Sequence, residues 1–218
     1  GVKGGIGVEV RVQGRDAVQL AFHHLDGRDL PPFDQGRQGA LEILGIPYQG
    51  ADVTTSAVAM NKDLSKRLYR QAGLPVATDV VLTGAPDTQD WSHVTQTIGL
   101  PMVLKTTHSG SSVGVRVVDT QEALVAQGSA LLEEGRTTVV AEAWLPGREL
   151  TCPVLEDPDG APRALPLIEI KLKPARFFDY DSKYDPEAVD EICPAPVDID
   201  LAEKAFRDEI GVLDIVRC

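Results

Sequence analysis

The stretch from Lys105 to Val118, KTTHSGSSVGVRVV, combines a lysine with a loop rich in hydroxyls and glycines. The lysine closes one apolar run, GLPMVLK, and a second apolar run, VGVRVV, opens after the loop. Hydroxyls and backbone N–H groups at such a tip can donate hydrogen bonds to phosphate oxygens, and glycines let the backbone approach closely. Such a tip can fold over phosphates, but taken alone the loop favours an ordinary surface hairpin, because Ser/Gly loops are common.

The common phosphate-binding motifs do not fit this stretch. A Walker loop needs G-x-x-x-x-G-K-[ST] between a strand and a helix. Here the lysine precedes the loop and a strand follows it, and a dinucleotide fingerprint fails for the same reason. The remaining interpretation is a hairpin whose first strand ends in Lys105.

Composition restricts the classes of protein. The 218 residues, 43% hydrophobic and 25% charged, fit one large or two small globular domains. No apolar run reaches the length of a membrane span, and the first residues lack the apolar core of a signal peptide. The chain does not begin with Met, so we expect an internal piece of a longer protein. A net charge of −12 argues against nucleic acid or an anionic membrane as the main partner, and an anionic ligand would need local Lys and Arg.

The cysteines indicate a reducing compartment. Cys152, Cys193 and Cys218 are far apart and odd in number, which favours the cytoplasm over a disulfide framework or a zinc site. We expect Cys193, in ICPAP, to be buried.

Hydrophobic periodicity predicts a mixture of strands and helices. The clearest helix spans 54–73: hydroxyls would cap its start, apolar residues recur at helical spacing, and Gly73 precedes Pro75. Further helices are predicted at 37–45, at 119–134, at 199–210 and ending at 94–99. Strands are predicted at 16–24, 77–82, on both sides of the Ser/Gly loop, at 137–145, in a hairpin over 149–172, and from 213. The order predicts an α+β fold built of sandwiches.

Four segments in this order resemble the D-alanine–D-alanine ligases, members of the ATP-grasp superfamily. They are TTSAVAMNKDLSKRLYRQAGLP, GLPMVLKTTHSGSSVGV, VVAEAWLPGREL, and FFDYDSKYDPE with ICPAP. The resemblance runs from about Asp16 to Cys218, and the combination is far more specific than any single segment. It implies an ATP-grasp fold, ATP and Mg²⁺ as cofactors, and a cytoplasmic homodimer.

The resemblance implies roles for eight residues around ATP. Two lysines would contact phosphates and Ser112 would lie near them. The strand AEAWL would face the adenine, one acid would bind the ribose hydroxyls, and one lysine would belong to a mobile loop that closes the site. The phosphate lysines are Lys62 and Lys105, the strand facing the adenine contributes Glu142, Trp144 and Leu145, the ribose acid is Glu149, and the lysine of the mobile loop is Lys183.

Four further residues are implied to act on the amino acids. Ser111 would orient the substrates, and Tyr184 would close the site beside Lys183, in a pair typical of enzymes that form dipeptides rather than depsipeptides. Arg217 would stabilise the tetrahedral intermediate, and His23 would bind the first D-alanine. Two lysines neutralise a polyphosphate as point charges, and an arginine aimed at an oxyanion would contribute about 3–4 kcal/mol.

The sequence also departs from the family pattern. Ser109 stands where the family has an acid, and HHLDGRDLPPFDQG replaces a more regular segment after His23. The magnesium ligands of the family begin with an Asp expected directly after Cys218, so we expect the 218 residues alone not to turn over. Asp179, Asp181 and Asp185 could be mistaken for a metal site but fit an ordinary loop better.

The domain boundaries and the function follow from the resemblance. Residues 1–50 would be the remnant of an N-terminal substrate domain, 51–145 the central subdomain with the phosphate hairpin, and 146–218 the start of the C-terminal one. The implied reaction is ATP-dependent ligation of two D-alanines through an acyl phosphate, for peptidoglycan precursors. Two alternatives stay open: a related carboxylate–amine ligase for another amino acid, and a non-catalytic nucleotide-binding remnant.

Apart from the family match, Lys62 and Lys66, one helical turn apart, would both be expected to be solvated.

Overall fold

The structure, a computed structural model, describes residues 7–13, 17–23, 34–46, 51–108, 114–134, 138–157, 159–172 and 189–205. Two antiparallel sheets and five named helices account for most of them, and residues 199–205 are also helical. No helix among these residues is long and apolar enough to cross a bilayer.

The first sheet has four antiparallel strands in the order β3-β6-β4-β5. Their bounds are β3 Asp79–Thr83, β4 Met102–Thr106, β5 Arg116–Val118 and β6 Thr138–Ala143. Because side chains alternate between the faces of a strand, one face carries Leu82, Leu104 and Ala141, all buried. Helices α4 (Trp91–Ile98) and α5 (Gln121–Glu133) cover this face, and Val94 and Leu131 complete its core.

The second sheet contains the strands β10-β9-β7-β1-β2 in that order, with β8 paired to β7. Their bounds are β1 Gly7–Gln13, β2 Ala17–His23, β7 Arg148–Glu156, β8 Pro162–Ala164, β9 Ile168–Leu172 and β10 Val189–Ile192. Leu150 and Cys152 of β7 pack with Tyr69, Leu167 and Ala205 in a second core.

Three helices precede the first sheet: α1 Asp34–Ile43, α2 Val53–Met60 and α3 Lys62–Gln71. The predicted single helix over 54–73 is wrong, because Asn61 has an extended backbone (φ −99°, ψ 96°) and separates α2 from α3. Its Oδ1 accepts a hydrogen bond from the N–H of Leu64, 3.1 Å away, so Asn61 caps the second helix. Helix α2 is capped by the Asp52 carboxylate, not by a hydroxyl as predicted.

Most other predicted elements are confirmed within a few residues. The strand at 16–24, the hairpin over 149–172 and the helix at 119–134, capped by Thr120, are all present. Strand β1 had no prediction, although its alternating valines were a signal for it, and Cys193 is exposed, not buried. The predicted strand from 213 lies outside the described residues. The predicted domain division stays a prediction; β1 pairs with β7 as well as β2.

Gly128 of α5 lies directly against the Trp91 ring of α4. A Cβ at this position would come within 2.6 and 2.7 Å of Trp91 Cζ3 and Cη2. We expect Gly128→Ala to lower the free energy of unfolding, because overpacking costs about 1–3 kcal/mol and exceeds the gain of at most about 1 kcal/mol in helix propensity. Urea unfolding measures the difference.

The control combines Gly128→Ala with Trp91→Phe, which shortens the ring that the new methyl group meets. In that background the same substitution should be neutral or stabilising. Stabilisation by Gly128→Ala with Trp91 intact would show that the ring moves aside at no cost.

Candidate functional site

Two carboxylates face each other on the sheet surface that α4 and α5 leave uncovered. Asp79 of β3 is the direct cross-strand neighbour of Glu142 of β6. Like charges directly opposite each other destabilise a sheet unless cations lie between them. Both side chains are nearly buried, with exposed fractions of 3% for Asp79 and 15% for Glu142, so solvent does little to screen the repulsion.

Lys66 of α3 lies between the two carboxylates. Its Nζ is 2.9 Å from Glu142 Oε2 and 3.1 Å from Asp79 Oδ1, and only 8% of the residue is exposed. Burial lowers the pKa of this lysine, Glu142 opposes that shift, and the nearby cations Lys105 and Arg70 add to it. Arg70, one turn further along α3, contacts Asp79 as well. The expectation that Lys66 is solvated is therefore wrong, because α3 crosses this face of the sheet.

Lys105 of β4 contacts the same Glu142 from the other side. Burial alone would raise the pKa of Glu142, but Lys105 and Lys66 lower it to about 2. Glu142 is therefore an ionised hydrogen-bond acceptor throughout the physiological range. With Arg70 included, three cations surround two carboxylates, a local excess of positive charge in a chain whose net charge is −12.

The start of α3 meets the end of β4 where the Ser/Gly loop begins. The Lys62 N–H donates to the carbonyl of Thr107, 3.1 Å away. His108 Nδ1 lies 2.8 Å from Thr107 Oγ1, and its Nε2 lies 3.3 Å from Asn61 Nδ2. These contacts bring Lys62 and Lys105, 43 positions apart in the sequence, to the same end of the sheet.

A bidentate ion pair positions the strand that carries Glu149. Arg148 Nε and Nη2 each lie 2.7 Å from an oxygen of Glu169 in β9, and its Nη1 donates to the Pro196 carbonyl at 3.1 Å. The hydrogen bonds from Arg148 keep the pKa of Glu169 below its ordinary value, although burial opposes that shift. Glu149 follows Arg148 directly at the start of β7 and its backbone pairs with Ile170. Planar two-point contacts of this kind fix geometry as well as charge.

The structure brings part of the predicted site together. Lys105 and Glu142 are in contact on one face of the first sheet, and the backbone of Lys62 is bonded to Thr107 just after β4. Trp144 and Leu145 follow β6 directly, with 38% of Trp144 exposed. The backbone of His23 ends β2, and its side chain is not described. The other predicted site residues lie outside the described residues: Ser111, Ser112, Lys183, Tyr184 and Arg217.

Lys66, Asp79 and Arg70 were missed by sequence reasoning. One signal was available, since Lys62, Lys66 and Arg70 recur at intervals of four and must share a stripe of α3. Nothing local indicated that Asp79 would lie beneath this stripe.

The family model for the C-terminal part of D-alanine–D-alanine ligases matches residues 68–216. The chain belongs to this family. Among curated ligases, that of Syntrophobacter fumaroxidans is 45% identical over 169 residues, with 77% of this chain and 53% of that protein covered. The ligase of Chromohalobacter salexigens is 38% identical over 181 residues, covering 82% and 52%.

Solved structures of D-alanine ligases share the fold. The D-Ala:D-Ser ligase VanG of Enterococcus faecalis superposes with a TM-score of 0.71 at 27% identity, covering 84% of this chain and 52% of VanG. The Bacillus anthracis D-alanine–D-alanine ligase complexed with ATP gives 0.67 at 27% identity, covering 88% and 59%. The predicted α+β ATP-grasp fold is thereby confirmed. The chain spans little more than half the length of these ligases.

Glu142→Gln should destabilise the protein strongly at pH 7. The substitution leaves Lys66, Lys105 and Arg70 against Asp79 alone, and breaking a buried ion pair costs about 3–5 kcal/mol. Without Glu142 the pKa of Lys66 in the folded protein falls further below 10.5, the ordinary value that applies in the unfolded chain. Between those two pKa values the unfolded state binds more protons than the folded state. The deficit should therefore shrink as the pH rises from 7 to 9.5.

Urea unfolding at both pH values measures the effect. Arg67→Gln is the control, because Arg67 is 66% exposed and its pair with Asp63 is worth well under about 1 kcal/mol. A Glu142→Gln variant as stable as Arg67→Gln would contradict the account of the charged cluster.

Proposed function

We propose that this chain forms the nucleotide-binding part of an enzyme that joins two D-alanines at the expense of ATP. The observation that carries the proposal is that Lys105 contacts Glu142 on one face of the first sheet, while the N–H of Lys62 is bonded to Thr107, two residues beyond Lys105 at the start of the Ser/Gly loop. Membership of the ligase family and the ATP bound by the Bacillus anthracis relative support it.

In this proposal the cationic face of the first sheet receives the polyphosphate. Lys105 and Lys62 contact phosphate oxygens as point charges, and Ser112 donates from the loop. Glu142, held ionised, accepts from the adenine amino group, with Trp144 and Leu145 beside it. Glu149 accepts from the ribose hydroxyls, on a strand held by the Arg148–Glu169 pair.

The chemistry proceeds in two steps. An oxygen of the first D-alanine carboxylate attacks the terminal phosphorus of ATP, and ADP leaves, which produces an acyl phosphate. The neutral amine of the second D-alanine then attacks the acyl carbon, a C–N bond forms, the amine loses a proton, and phosphate leaves. Ser111 orients the substrates, His23 binds the first D-alanine and Arg217 stabilises the tetrahedral intermediate. Lys183 and Tyr184 close the site and exclude water, which protects the acyl phosphate.

Magnesium would neutralise the phosphates during the first step. The resemblance assigns its ligands to positions after Cys218, and no cluster of three ligating side chains occurs among the described residues. A cytoplasmic homodimer and a division of the chain at residues 50 and 145 belong to the same proposal and rest on the family resemblance.

Ligation of D-alanine to D-serine is the second candidate. The similarity to VanG favours it. The two candidates share the nucleotide site and differ only in the second substrate.

Product analysis of the full-length protein tests the proposal. We expect ATP consumption that requires D-alanine, with D-alanyl-D-alanine as the main product by mass when D-alanine, D-serine and D-lactate compete. A dominant D-alanyl-D-serine product would select the second candidate, and a depsipeptide would contradict the role of Tyr184. ATP binding without any turnover would favour a non-catalytic nucleotide-binding protein.

Lys105→Ala and Lys62→Ala should each weaken ATP binding at least about tenfold, or 1.4 kcal/mol, in isothermal titration calorimetry of the full-length protein. Arg163→Ala is a matched control that removes one positive charge far along the chain, at an exposed pair with Asp157. Unchanged ATP affinity in both lysine variants would exclude this phosphate site.

A further inference from the structure

Lys66 is the one cation among the described residues that contacts both opposed carboxylates. Arg70 reaches Asp79, and Lys105 reaches Glu142, but only Lys66 Nζ lies within 3.1 Å of an oxygen of each. It is also the most buried of the three, with 10% of its side chain exposed against 43% for Arg70 and 21% for Lys105. Its position inside the cluster leaves little of it accessible to a ligand.

The two cations of Glu142 differ in what else holds them. Lys66 is anchored by Asp79 as well as Glu142, whereas Lys105 forms its ion pair, among the residues that the structure describes, with Glu142. A polyphosphate that attracts Lys105 would draw it away from Glu142. Glu142 would then face Asp79 across the strands, and Lys66 would be the cation that keeps the two carboxylates together.

We propose that Lys66 is a positioning residue for nucleotide binding: it fixes the Glu142 carboxylate and so leaves Lys105 able to exchange between Glu142 and a polyphosphate. The inference rests on the proposed nucleotide site. Lys66 acts through Glu142 and touches no part of the nucleotide. The groups that face Glu142 and complete this arrangement are Lys105 from β4, Asp79 from β3 and, through Asp79, Arg70 from α3.

A double-mutant cycle on ATP affinity tests this indirect action. In the full-length protein, Lys66→Met should weaken ATP binding about tenfold, because Glu142 then retains only Lys105 and competes with phosphate for it. In a Glu142→Gln background, the same Lys66→Met substitution should change ATP affinity less than about threefold. Lys66→Arg should stay within about threefold of the parent, since a guanidinium can donate to both carboxylates.

Arg67→Met controls for the loss of a positive charge on the same helix, because Arg67 is exposed and pairs with Asp63. Circular dichroism and urea unfolding verify that each variant folds. If Lys66→Met does not fold, Lys66→Gln, which can still donate one hydrogen bond to Glu142, takes its place in the cycle with the same expected pattern.

Two results would overturn the inference that Lys66 acts through Glu142. Unchanged ATP affinity in folded Lys66→Met would show a purely structural residue, and an equal loss in both backgrounds would show that Lys66 acts without Glu142; either overturns the inference. Absence of ATP binding in the unmutated protein would instead contradict the proposed function, so the two failures can be told apart.

Discussion

The repulsion between Asp79 and Glu142 is the constraint around which the first sheet and α3 are arranged. Two carboxylates in adjacent strand positions, both largely removed from water, are stable only with cations fixed beside them. Lys66 supplies that cation from a helix and Lys105 supplies a second from the neighbouring strand. The same arrangement keeps Glu142 ionised and concentrates positive charge on one face of the sheet, although the chain as a whole is acidic.

Helix α3 connects this cluster to both sheets. Its Lys66 contacts the charged face of the first sheet, while Tyr69 packs in the core of the second sheet with Leu150 and Cys152. Its start, set by the Asn61 cap, is bonded to Thr107 at the beginning of the Ser/Gly loop. Helix α3 therefore carries Lys62, a candidate for phosphate binding, and holds Glu142, a candidate for adenine binding, through Lys66. Through Tyr69 it also packs against β7, the strand that carries Glu149.

Sequence reasoning predicted the residues that lie in motifs and missed those defined by long-range contacts. Lys105 and Glu142 were found because their surroundings resemble a family, whereas Lys66 received a solvated interpretation. Its burial depends on where α3 crosses the sheet, and no local pattern encodes that crossing. The break at Asn61 was missed for a related reason: the helical spacing of Met60 and Leu64 continues across it, so periodicity alone predicts one helix. Elements with strong local signals, such as α5 with its Thr120 cap, were predicted to within two residues.

A crystal structure of the full-length protein with a non-hydrolysable ATP analogue tests the central claim most directly. The account predicts the adenine beside Glu142, Trp144 and Leu145 and the polyphosphate at Lys62 and Lys105. Lys105 Nζ should have moved from Glu142 to a phosphate oxygen, while Lys66 still bridges Glu142 and Asp79 at the hydrogen-bonding distances seen here. A nucleotide bound elsewhere, or Lys66 displaced from Glu142 with Lys105 still paired to it, would contradict the account.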